Sequence, residues 1–241
     1  MTVSVEVLDD PARACAALMV SAAMGSGHIV LAGGSTPMAA YEDFVNAVCA
    51  VGLDTSRITF WLGDERCVPA EDERSNYGMI KPVLVDPLGA TGAPDVRRIK
   101  GELGPEAAAE DYERELRETA PPRFDLVLLG IGADGHTASL FPDQPAVSED
   151  TRLVVGVAEA GLEPFVPRVT LTVGALTSSR HVAVLAAGEA KADAVTKAFG
   201  PSARPDRHVP ASLLASRAEL LTVLVDTAAA AGLDRRAARE R

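Results

Sequence analysis

Aromatic side chains are scarce in this chain: they make up 4% of 241 residues, with one Trp, three Tyr and six Phe. A chain that is 47% apolar yet so poor in rings must build its core from Val, Leu, Ile and Ala. That suits a parallel sheet covered by helices and argues against a sandwich held by large aromatic anchors. Cysteine is nearly missing. Cys15, Cys49 and Cys67 are odd in number and show no CxxC spacing, which excludes a disulfide frame and a cysteine zinc site and points to a reducing compartment. No HxxxH or HExxH pair occurs, so no metal is expected. No run approaches the ~20 apolar residues of a membrane span. The opening MTVSVEVLDD enters a strand pattern without a basic-then-apolar leader, so a soluble cytoplasmic protein is expected. Cations are also short: 23 basic residues face 34 acidic ones, a net charge of −11. With no Lys/Arg stripe, nucleic acid is excluded as a partner, and any anionic ligand needs a local pocket that works against the overall field.

What the chain does have is alternation. SVEVL, HIVLAGG, ITFWLGDE, FDLVLLGIG, LVVGV, HVAVLAAG and LLTVLVD read as strands. PARACAALMVSAAM, TPMAAYEDFVNAVCA from near Pro37, SNYGMIKPVLV, PEAAAEDYERELRETA and EAKADAVTKAFG read as helices. RVTLT fits either a strand or a helix entry. Residues 85–105 read as a long irregular connection and DRRAARER as a frayed, solvated helix end. The expectation is a single α/β domain over residues 1–241, with a doubly wound, mostly parallel sheet flanked by helices in the Rossmann-like manner.

In such a sheet ligands gather beyond the carboxyl ends of the strands. Three strands here end in polar, glycine-bearing turns. LAGGSTP (31–37) brings Gly34, Ser35 and Thr36 to a helix start, which is either an anion site or a plain turn with a hydroxyl N-cap. It has neither Walker nor dinucleotide spacing, so a small phosphorylated ligand suits it better than ATP or NAD. In WLGDERCVP, Arg66 could grip a phosphate through its fork of donors and Asp64 could bind hydroxyls or a proton; alternatively the two form a surface ion pair. GIGADGHTASLFP sets His136 two residues after Asp134 behind a tight glycine turn, where a proton shuttle over the sheet edge would sit. Ser139 lacks a GxSxG elbow and is read as a cap or local hydrogen bond. Lys191 in GEAKA is a phosphate contact or an exposed helix lysine.

LAGGSTP, WLGDERCVP with SNYGM behind it, FDLVLLGIGADGHTASLFP, PRVTLT and GEAKA, in this order over about residues 28–200, resemble the 6-phosphogluconolactonases. These share a superfamily with the glucosamine-6-phosphate deaminases. The resemblance implies a doubly wound fold and hydrolysis of 6-phosphoglucono-δ-lactone in the pentose phosphate pathway, with no cofactor. His136 would be the general base and Asp134 its neighbour, with Gly34, Ser35, Thr36, Arg66, Arg168 and Lys191 around the substrate. Deaminases, the alternative, follow DGH with a stretch ending in Asn-Glu-Pro and carry Asp-Glu-Tyr at the second turn. This chain has TASLFP, with Phe141 in place of that glutamate, and Asp64-Glu65-Arg66. A sensor of sugar phosphates would carry an output module ahead of the domain, whereas the first strand starts near residue 3, so an enzyme is expected. A monomer or weak oligomer is expected as well.

Overall fold

The computed structural model describes residues 2–25, 27–118 and 123–233. The basic stretch at 234–241 lies outside them. Along the chain run β1 (Thr2–Val7), α1 (Pro11–Met24), β2 (His28–Leu31), α2 (Met38–Val51), β3 (Thr59–Leu62), β4 (Asp64–Arg66), α3 (Asn76–Ile80), α4 (Asp86–Leu88) and β5 (Asp95–Arg97). Then follow α5 (Pro105–Glu118), β6 (Leu126–Gly130), β7 (Val154–Val157), β8 (Arg168–Leu171), α6 (Val173–Thr177), β9 (Val182–Ala186), α7 (Ala192–Phe199) and β10 (Leu220–Val225). Seven strands form one sheet in the order β1-β10-β9-β6-β2-β3-β5, and each neighbouring pair is parallel.

The most apolar strand takes the middle of that sheet. Leu126, Val127, Leu128 and Leu129 of β6 are all buried, as a strand covered on both faces requires. Successive side chains of β3 point to opposite faces. Phe60 meets Phe44 of α2 edge-on at 6.3 Å, and Trp61 meets Tyr112 of α5 at 5.8 Å. The two helices therefore cover opposite faces, each meeting the sheet through an aromatic pair.

Two expectations need correction and one open alternative is resolved. ITFWLGDE is not one strand: β3 ends at Leu62, and β4 joins β8 and β7 in a separate antiparallel sheet. Gly63 is the corner, donating to the Leu31 carbonyl at 3.0 Å and accepting from Leu171 N–H at 2.9 Å. RVTLT resolves as strand β8, with the Thr172 hydroxyl capping α6. Residues 85–105 are not wholly irregular, because they hold α4 and the edge strand β5.

The winding places the ligand crevice. After β2 the chain steps outward through β3 and β5, then returns to β6 beside β2 and proceeds the other way through β9 and β10. The carboxyl ends of β2 and β6 thus flank the point where the strand order reverses, the usual place for a ligand in an open parallel sheet.

Candidate active site

A cavity of about 240 Å³ opens at that point, walled by Gly34, Ser35 and Thr36 after β2, Asp64 and Arg66 of β4, His136 after β6, and Lys191 after β9. The turn after β2 is anchored from below. The buried Tyr41 hydroxyl accepts from Ala32 N–H at 3.0 Å and donates to the Ala32 carbonyl at 2.7 Å. Gly34 adopts φ +88°, which favours glycine. Pro37, not a hydroxyl residue, holds the N-cap position of α2, and no side chain caps it. Among the described residues, the N–H groups of Gly34, Ser35 and Thr36 donate to no other backbone group. The plain capped turn is therefore not what forms. Instead, unspent donors face the cavity at a helix start, as an anion site needs.

Arg66 does not pair with Asp64. One guanidinium nitrogen donates to the Arg74 carbonyl, and its buried Nε has no partner. Asp64 is instead engaged on both oxygens, accepting from Asn76 Nδ2 at 3.2 Å and from Ser139 Oγ at 2.6 Å. Between them, Glu65 points into the protein and accepts from Arg66 N–H (2.7 Å), Asn76 N–H (2.6 Å), Tyr77 N–H (2.8 Å) and Ser75 Oγ (3.0 Å). Burial pushes its carboxyl up, and those four donors pull it back only in part. This staple fixes β4 against the start of α3.

His136 is held by its neighbours in sequence. Its Nδ1 lies 2.6 Å from Asp134 Oδ1, and its N–H donates to the same oxygen at 3.1 Å. Its carbonyl accepts from Gly132 N–H at 2.8 Å. A Cβ on Gly132 would fall 2.0 Å from the imidazole Nδ1, so only glycine admits the ring there. With Nδ1 committed to a carboxylate, Nε2 is the nitrogen left for the cavity. The Phe141 ring packs 5.1 Å from the imidazole, at the position that the deaminase pattern gives to glutamate. Lys191 ends a 3₁₀ turn (Glu189–Lys191) behind Gly188, whose N–H donates to both carboxylate oxygens of Asp226, at 3.1 and 2.9 Å. Lys191 forms no ion pair among the described residues.

Arg168 departs from expectation. It is 3% exposed and does not line the cavity; its guanidinium donates to the carbonyls of Val166 (3.1 Å) and Pro164 (2.7 Å). Burial and nearby Arg66 hold its pKa below the ordinary value. It braces the 162–167 loop where a substrate contact was expected. Ser139 was read as a local bond but makes a long-range one, to Asp64. Asn76, Glu65, Tyr41 and Asp226 were not singled out in sequence. Glu65 and Asn76 lay within the quoted WLGDERCVP and SNYGM stretches, but nothing local marked Tyr41 or Asp226.

A histidine held by a carboxylate, unspent N–H groups and two cations around one sheet-edge crevice define an α/β protein equipped to hold an anion and move a proton. Comparison narrows the class. Residues 5–223 match the family described as glucosamine-6-phosphate isomerases/6-phosphogluconolactonase. The chain is 37% identical to the 6-phosphogluconolactonase of Streptomyces coelicolor over 89% of its own length and 85% of that protein's. It is 33% identical to the Synechocystis 6-phosphogluconolactonase, over 91% of each. The crystal structure of 6-phosphogluconolactonase from Leishmania guyanensis superposes with a TM-score of 0.81 at 28% identity, covering 97% of this chain and 99% of that one. The chain belongs to the glucosamine-6-phosphate isomerase/6-phosphogluconolactonase family.

Proposed function

We propose that this protein is a hydrolase that opens 6-phospho-D-glucono-1,5-lactone to 6-phospho-D-gluconate in the oxidative branch of the pentose phosphate pathway, without a cofactor, as a cytoplasmic monomer or weak oligomer. The observation that carries the reading is the gathering, around one cavity, of the Asp134-anchored imidazole and the Arg66, Lys191 and Gly34–Thr36 donors. The donors hold the phosphate and so present the lactone carbonyl to the imidazole at one geometry. His136 Nε2 takes a proton from water as the oxygen attacks the carbonyl carbon. The ring C–O bond then breaks, the departing ring oxygen takes that proton back from His136 Nε2 and leaves as a hydroxyl, and the new carboxyl releases its own proton to solvent. The lactone is an activated ester, so no covalent enzyme intermediate is needed.

Phe141 beside His136 speaks against the deaminase reading, because an apolar ring stands where ring opening of an amino sugar would need a carboxylate. A coupled assay that follows 6-phosphogluconate above the spontaneous rate tests the proposal, with ammonia release from glucosamine 6-phosphate as the competing outcome. His136→Ala is expected to lower kcat by about 10²–10⁴ with little change in KM. Arg66→Ala is expected to raise KM strongly. Near-normal turnover in the histidine variant would remove the base assignment.

A further inference from the structure

We propose that Ser139 is a positioning residue for the His136 imidazole, and that Asp64 serves as its anchor and not as a ligand of the sugar. Three observations point the same way. Ser139 is 1% exposed and donates to Asp64 Oδ2 at 2.6 Å, across 75 positions of sequence, while its N–H donates to Thr170 Oγ1 at 3.3 Å. The other Asp64 oxygen accepts from Asn76 Nδ2, which also donates to the Asp64 carbonyl at 2.9 Å, so that this carboxylate is clamped from both sides. Between His136 and Ser139, Ala138 lines the cavity at φ +49°, a left-handed conformation that an L residue holds only when its surroundings force it.

The tie acts across the catalytic cavity. His136 belongs to the turn after β6, and Arg66 to the β4 strand, which also lines the crevice. Among the described residues, the Ser139–Asp64 hydrogen bond is a direct side-chain link from the imidazole's turn to the arginine's strand. The bond couples the turn that carries the proton acceptor to the strand that carries Arg66. Ala138 sits in a turn closed by Leu140 N–H donating to the Thr137 carbonyl at 3.0 Å, and the Ser139–Asp64 bond ties that turn, with the ring at its start, to β4.

The inference rests on the lactonase reading for its kinetic test, and has a second readout that does not. Ser139→Ala, Asp64→Ala and the double variant are compared in the full-length protein. Ser139→Ala is expected to lose about 10- to 100-fold in kcat with KM nearly unchanged, the cost of a small misplacement. The double variant is expected to lose no more than the worse single one, because both break one bond. Losses that multiply, or a KM effect without a kcat effect, overturn the proposal and return Asp64 to the substrate. Ser139→Cys, close in size and a much weaker donor, asks the same question should the alanine variant not fold. Without substrate, the His136 ring proton resonance, assigned by its loss in His136→Ala, should shift in Ser139→Ala. An unmoved resonance overturns the tie even in an active lactonase. A shifted resonance in a protein without lactonase activity supports the tie and removes the proposed reaction.

Discussion

Asp134 shows how a single residue sets the chemistry of its neighbour. Burial pushes its carboxyl up, but the hydrogen bond and charge of His136 outweigh that and leave it below the ordinary value. An ionised carboxylate can only accept, so the proton sits on Nδ1 and the lone pair on Nε2. Asp134→Asn offers an amide donor to the same nitrogen and favours the opposite tautomer. Its kcat is expected to fall by about 10²–10⁴ with KM nearly constant, measured in the coupled assay. Because the folded pKa is depressed, the pair's contribution is present above the unfolded value of about 3.9 and is lost only as pH falls through the lower folded one. Any loss of rate between neutrality and pH of about 4 therefore arises elsewhere than in Asp134. At this scale the place of His136 and Asp134 was legible because both stand in a glycine-flanked turn at a strand exit, and Arg66 because it follows the β3 corner at Gly63. Ser139 was not, since its partner Asp64 lies 75 residues away.

Among the elements, the turns carry the constraints. Gly135 at φ +90° would bring a Cβ to 2.8 Å from Val209 Cγ1, whereas Gly34 at φ +88° has nothing within 4 Å of that position. Gly34→Ala should therefore cost only the backbone strain, about 1–2 kcal/mol. Gly135→Ala adds an overlap with the 206–212 loop, whose Ala211 N–H also donates to the Gly135 carbonyl, for a total of about 2–4 kcal/mol. Denaturant midpoints followed by the fluorescence of Trp61, the single tryptophan, compare the two. Equal losses would show that Val209 yields at no cost. The long strands and helices were legible from their periodicity. The three-residue β4 and β5 were not, because three residues contain too little alternation to register, and β4 owes its existence to pairing with β8.

Over the whole molecule, acid is the clearest probe. Glu113 of α5 is pushed up by burial, yet the Leu153 N–H, Arg117 and Arg152 together bring it below its usual pKa, and this contact fastens α5 to β7. Arg98 lowers Glu102, and Lys100 lowers Asp111. Each such carboxylate supports the fold above its unfolded pKa and loses that support as pH drops through its folded one. Glu65, raised by burial, works with the opposite sign, its contribution fading as pH rises through the raised folded value. Stability is expected to be nearly level from neutrality to pH of about 5 and to decline below it. Glu113→Gln should lower the neutral denaturant midpoint and flatten the acid decline. An unaltered decline would assign it to other groups.

The order of residues along the chain determined the alternation of strand and helix, the central place of FDLVLLGIG and the glycine-flanked turns, because these follow from periodicity and backbone freedom within a few residues. Only the tertiary structure decided that the chain leaves the main sheet at Gly63, that Arg168 braces a loop, and that Asp64 faces Ser139. Those outcomes depend on which distant donors and acceptors meet when the two sheets close on each other, and no local pattern encodes that meeting.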